Sequence, residues 1–198
     1  MYTLLKPFVV REELLKEGVR IFTPLEFSRI FEMPAQKTKR FLERWAKEGF
    51  LVRLKRGLYS LKLDLPPEEG IANRLYRPSY LSFEYALAFY NILPEMPYMI
   101  TSATTKPTRN FAVDSKVFAY LKIKQEAYTG YSLASTGEKS FLIAEPEKAL
   151  VDYLYFVALG KKPVYERLNL ENLSNEKIAE YAKLYNRPKL NRLVRKLV

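Results

Sequence analysis

The chain has 198 residues, 48% hydrophobic and 14% aromatic, enough to pack one large core or two small ones and too apolar for disorder. Its formal net charge of +11 favours a polyanionic partner or an anionic surface, so where the charge sits matters more than its sum. Cysteine and histidine are both absent, which excludes disulfides, Cys/His zinc sites, thiol nucleophiles and imidazole bases, and leaves carboxylate chemistry as the enzyme route still open.

The opening stretch MYTLLKPFVVREELLKEG turns charged too early for a signal peptide. The longest apolar run, ALVDYLYFVAL, is too short and too interrupted to span a bilayer. A cytoplasmic protein without a membrane partner is therefore expected.

From Val10 to Gly18 the pattern is helical, with Leu14 and Leu15 apolar and Gly18 as the stop. VRIFT then reads as a short strand. Thr23-Pro24 gives a strong helix start, with Thr23 as N-cap, Pro24 at the first helical position and Glu26 three residues after the cap. Leu25, Phe27, Ile30 and Phe31 make the apolar face of this second helix, and Met33-Pro34 interrupts it. A third helix runs from about Ala35 to Glu48. Phe41, Leu42 and Trp45 share one of its faces, while Lys37, Arg40, Arg44 and Lys47 stack in a stripe at three- and four-residue intervals.

The hairpin Phe50 to Lys62 follows at once, with Arg53, Lys55 and Arg56 crowding its apex. Helix, helix, then hairpin is the order of a winged helix-turn-helix, whose second helix enters a major groove. Between Ala35 and Lys62 stand nine basic residues and two acidic ones, a net of +7 out of the chain's +11. Such a surface neutralises backbone phosphates. The expected DNA-binding residues are Gln36, Lys37, Lys39 and Arg40 for base edges, and Arg44, Lys47, Arg53, Lys55 and Arg56 for phosphates or a minor groove.

LDLPPEEG, Leu63 to Gly70, reads as a linker, which predicts a DNA-binding domain over 1–64 and a second domain over 65–198. In the second domain a helix is expected from about Ser82 to Asn91, capped by Ser82. YMITSAT, NFAVDS, KVFAYLKIK and SFLIAE are β-rich, and STGEKS, centred on Gly137, is a turn between strands. EPEKALVDYLYFVALG is a helix apolar nearly all round and therefore buried, and LSNEKIAEYAKLYN and RPKLNRLVRKLV make two more. The fold class is α+β, a winged helix-turn-helix followed by a mixed α/β domain.

No phosphate loop, dinucleotide turn or nucleophile elbow is present, and no closely spaced metal-binding aspartates follow a Gly-Ser turn. No cofactor, metal or catalytic residue is assigned. Asp152, inside the apolar helix, reads as a buried ion pair or hydrogen bond that fixes helix orientation. The tail carries Arg187, Lys189, Arg192, Arg195 and Lys196 with no acidic residue, and fits phosphate contacts, an acidic partner or a solvated face equally.

Two segments resemble the AbiEi-type antitoxins and transcriptional regulators. The first is REELLKEGVRIFTPLEFSRIFEMPAQKTKRFLERWAKEGFLVRLKRGLYSLK, with Gly49, Leu51, Gly57, Leu58 and Tyr59 at the closing hairpin. The second is RPSYLSFEYALAFYNILPE together with AEPEKALVDYLYF. This abortive-infection family implies a type IV toxin–antitoxin pair: a transcriptional regulator that binds inverted repeats in double-stranded operator DNA, represses its own operon and counteracts a nucleotidyltransferase-like toxin. Two alternatives stay open: a stand-alone winged-helix transcription factor with a ligand-sensing or dimerising second domain, and a carboxylate-dependent nuclease.

Overall fold

A computed structural model describes residues 5–136 and 139–197. The chain divides into two compact units, Met1–Pro67 and Glu68–Val198.

The first unit runs α1 (Pro7–Lys16), β1 (Ile21–Phe22), α2 (Pro24–Ile30), α3 (Ala35–Lys47), β2 (Leu51–Lys55) and β3 (Leu58–Leu61). Its sheet has the order β1-β3-β2, antiparallel throughout. The capping box at Thr23 is formed: the Glu26 N–H donates to Thr23 Oγ1 at 3.2 Å, and the Thr23 N–H donates to Glu26 Oε2 at 2.6 Å. Two of the orphan N–H groups at the start of α2 are thereby satisfied.

The core beneath joins Val10 and Leu14 of α1, Phe22 of β1, Phe27 of α2, Leu42 and Trp45 of α3, and Leu51, Tyr59 and Leu61 of the hairpin. Aromatic rings bind its parts together, Phe22 to Phe27 at 5.5 Å and Trp45 to Phe50 edge-on at 4.6 Å. Leu25 departs from the expected apolar face of α2. It stands 60% exposed, because Phe27 alone reaches the core from that turn while Ile30 and Phe31 pack at its margin.

The linker reading of Leu63 to Gly70 is corrected at both ends. Asp64 is clamped to α1, accepting from Arg11 Nε and a second guanidinium nitrogen, each at 2.7 Å. This is the planar two-bond pairing that suits arginine to a carboxylate. Glu68, Glu69 and Gly70 open a helix, α4 (Glu68–Leu75), which buries Ile71, Ala72 and Leu75. Two prolines ahead of it mask the signal, whereas the acidic pair in its first turn suits the helix dipole.

The second unit continues with β4 (Ser79–Leu81), α5 (Phe83–Phe89), β5 (Met99–Thr104), β6 (Arg109–Val113), β7 (Lys116–Lys122), β8 (Tyr131–Thr136), β9 (Lys139–Ala144), α6 (Pro146–Ala158), α7 (Asn175–Leu184) and α8 (Pro188–Leu197). One six-stranded sheet has the order β6-β7-β5-β4-β9-β8. The β5–β7 and β4–β9 pairs are parallel and the rest antiparallel. The fold is thus mixed α and β. Strands β8 and β9 pair antiparallel, while the tip of the expected STGEKS turn, residues 137–138, lies outside the described residues.

α6 is buried on almost every side, with Leu150, Val151, Asp152, Tyr153 and Leu154 fully inaccessible. α4 is pinned to β9 by Asn73, whose amide donates to the Leu142 carbonyl at 3.2 Å and whose carbonyl accepts the Leu142 N–H. Among the described residues no helix is long and apolar enough to cross a membrane.

Ser82 occupies the N-cap position of α5, yet its hydroxyl makes no cap. It donates instead to Asp152 Oδ2 at 2.8 Å. The capping oxygen comes from β5: Thr101 Oγ1 accepts the Tyr85 N–H at 3.1 Å and donates to the Ser82 carbonyl at 2.7 Å. A neighbouring strand thus does for α5 what a local side chain does for α2.

Candidate nucleic-acid interface

The charge of the first unit is presented by α3 and the β2–β3 hairpin. α3 buries Thr38, Leu42 and Trp45. At about 100° per residue these lie within an arc of roughly 60°, and Lys37, Arg40, Arg44 and Lys47 lie within about 80° on the far side. All four are exposed, as are Gln36 and Lys39. The helix is therefore an amphipath whose outer face is cationic. Lys39 stands apart from the stripe, since residues two apart on a helix do not share a face.

The hairpin presents the remaining three. Its two-residue loop is Arg56-Gly57, closed by the Lys55↔Leu58 pair, and Gly57 takes φ +74°, which costs glycine least. The register shifts between Arg53 and Lys55, so Leu54 is the extra residue of a bulge and is buried. Arg53 and Arg56 are exposed, whereas Lys55 is half-buried.

Compensation of this charge is sparse. Arg44 lies 3.7 Å from Glu48 Oε1, and its guanidinium sits 5.5 Å from the centre of the Phe41 ring. Lys39, Arg40, Lys47, Arg53 and Arg56 have no acidic partner within ion-pair distance among the described residues. The supports of Arg44 are not among the sequence expectations, although Phe41 three residues before it and Glu48 four after are the spacings that signal them.

Asp152 is occupied structurally. It is fully buried and accepts from four side chains: Lys148 Nζ and the Tyr185 hydroxyl on Oδ1, the Tyr80 hydroxyl at 3.1 Å and Ser82 Oγ at 2.8 Å on Oδ2. Burial pushes the Lys148 ammonium below its ordinary pKa, and the Asp152 charge partly restores it. Burial, with the Asp152 charge next, pushes the Tyr80 and Tyr185 phenols well up. The ammonium also lies 5.3 Å from the centre of the Tyr185 ring and 5.7 Å from that of Tyr80. With every acceptor position filled and no exposed atom, this cluster ties β4, α6 and the end of α7 together. Among the described residues no group of three or more Asp and Glu side chains is placed to hold a metal ion.

Comparison of the chain with protein-family models and with curated proteins gives no match.

Proposed function

We propose that the first unit is a winged helix-turn-helix that binds double-stranded DNA, with α3 in the major groove and the β2–β3 hairpin as its wing, and that the protein is a transcriptional regulator. One observation carries this reading: the cationic stripe of α3 lies opposite its buried face and is followed directly by a hairpin with a basic apex. Gln36, Lys37, Lys39 and Arg40, near the start of α3, are the residues for base edges. Arg44, Lys47, Arg53, Lys55 and Arg56 hold phosphates, which neutralise the repulsion the hairpin bears when free.

The resemblance of the two sequence segments to AbiEi-type antitoxins supports a further step. In it the protein represses its own operon from inverted repeats and counteracts a nucleotidyltransferase-like toxin.

Gel-shift titration on the protein's own promoter at several salt concentrations tests the DNA reading. Binding that is absent, or indifferent to salt, sinks it. Replacing Lys37 and Arg40 with alanine relaxes sequence preference, by about 1–3 kcal/mol for each bidentate base pairing removed. Replacing Lys55 and Arg56 weakens all duplexes alike and lowers the salt slope by about 0.9 per phosphate no longer neutralised. Co-expression with an adjacent nucleotidyltransferase gene, scored for growth rescue, tests the antitoxin step; no such neighbour, or no rescue, leaves a stand-alone regulator.

A further inference from the structure

The last helix of the second unit is charged against its own stability. α8 buries Leu190 and Val194 and turns Lys189, Arg192, Arg195 and Lys196 to solvent. These four fall within about 120° of one another, opposite the buried pair. α8 contains no acidic residue. Lys189–Arg192, Arg192–Arg195 and Arg192–Lys196 are three or four residues apart, the spacings at which like charges destabilise a helix. The helix dipole favours cations in the last turn and so accounts for Arg195 and Lys196, but it disfavours Lys189 in the first.

Some cations of this unit are paired, Lys116 with Glu68 at 3.0 Å, Lys162 with Glu84, and Lys177 with Glu145 at 3.2 Å. The four on α8 have no acidic partner among the described residues.

We propose that the cationic stripe of α8 is a second surface for the phosphates of double-stranded DNA. This rests on the DNA-binding reading of the first unit. No large hydrophobic residue of α8 is exposed, whereas protein–protein interfaces centre on buried aromatic and aliphatic anchors. A surface that offers charge alone suits a polyanion and adds affinity without regard to base sequence.

The test uses the full chain and two duplexes, its own promoter and a mixed-sequence control. In the variant K189Q/R192Q/R195Q/K196Q the slope of log affinity against log salt falls on both duplexes, by about 0.9 for each phosphate left without its cation, roughly two to four in total. R192K/R195K, which keeps the charge, keeps the slope. Acetylation footprinting of the unaltered protein reads the same surface without a substitution, and duplex protects Lys189 and Lys196. An unchanged slope in the quadruple variant, or unprotected lysines, overturns the inference even while K37A/R40A loses promoter preference. So does an acidic protein that occupies α8 while leaving the DNA slope intact. A wild-type chain that binds neither duplex overturns the first-unit reading and this one together.

Discussion

Replacing Asp152 with asparagine keeps the side chain's shape and removes its charge, which leaves Lys148 as a buried ammonium with no counter-ion. Two outcomes then compete in the folded state. If Lys148 keeps its proton, the unpaired charge costs about 3–5 kcal/mol, as broken buried ion pairs do. If it gives the proton up, the cost at about pH 7 is capped by the lysine's ordinary pKa of about 10.4, about 3.4 units at about 1.36 kcal/mol each, or roughly 4.6 kcal/mol. Both bounds agree, so a loss of about 3–5 kcal/mol and a Tm lower by about 10 °C are expected.

The pH dependence identifies the mechanism. Lys148 already sits below its ordinary pKa, and asparagine depresses it further, so the unfolded chain binds the proton that the folded variant releases. Stability of D152N therefore rises with pH toward the unfolded lysine's ordinary pKa of about 10.4, and its deficit against wild type shrinks, by at most about 1.4 kcal/mol per unit, wherever Lys148 has lost its proton in the variant and not in wild type. Urea unfolding followed by far-UV circular dichroism measures this. The double variant K148M/D152N removes the buried cation and with it the pH dependence. A deficit below about 1.4 kcal/mol that does not move with pH would refute the account of Asp152 as the neutraliser of a desolvated lysine.

Burial pushes the phenols of Tyr153 and Tyr181 up to about 12, above the ordinary value near 10 of an unfolded tyrosine. Their contribution is complete below about pH 10 and is lost as pH rises through about 12, so phenolate absorbance should show a late phase that coincides with alkaline unfolding. Titration of every tyrosine near 10 in a folded chain would contradict this. The hydrogen bond from Arg11 holds the Asp64 carboxyl below its ordinary pKa. That contribution is present above about pH 4 and lost as pH falls through the depressed value. Emission from Trp45, the chain's one tryptophan, should show an acid transition that flattens in D64N; an unchanged profile would contradict it. T23A removes the acceptor for the Glu26 N–H and should cost about 1 kcal/mol by the same emission signal, whereas no measurable loss would count against the cap.

The first unit was legible because its signals are local. Thr23-Pro24 with Glu26, the break at Met33-Pro34 and Gly57 in the hairpin each fix a backbone feature within four residues. Three elements of the second unit carry no such signal. β4 is three residues long and runs into α5, β8 reads YSLAST and gains its strand character by pairing with β9, and α4 hides behind two prolines. Ser82 shows the limit most clearly. Its sequence context marks a helix cap, but a carboxylate 70 residues away takes its hydroxyl and Thr101 replaces it. The spacing of the α3 cations was readable for the same local reason. The four donors to Asp152 were not: only Lys148, four residues before it, lies within helical reach.

The treatment of charge differs sharply between inside and outside, and that contrast bears on what the surface is for. Asp152 is met by four donors, and Glu84 and Glu145 each find a lysine. A chain that pairs its ions in this way has 22 acidic residues with which to balance its surface cations, and at Lys116 and Lys177 it does so. On α3 and the hairpin only Arg44, of the residues whose pairing is described, has an acid within 4 Å, and on α8 none does. Exposed ion pairs are worth little, so stability alone neither demands nor forbids these gaps. On the outer faces of two amphipathic helices and at one hairpin apex, several cations at helical spacing leave fixed positive charge where a polyanion can reach it, and that placement supports the proposed nucleic-acid surface more specifically than a net charge of +11 does.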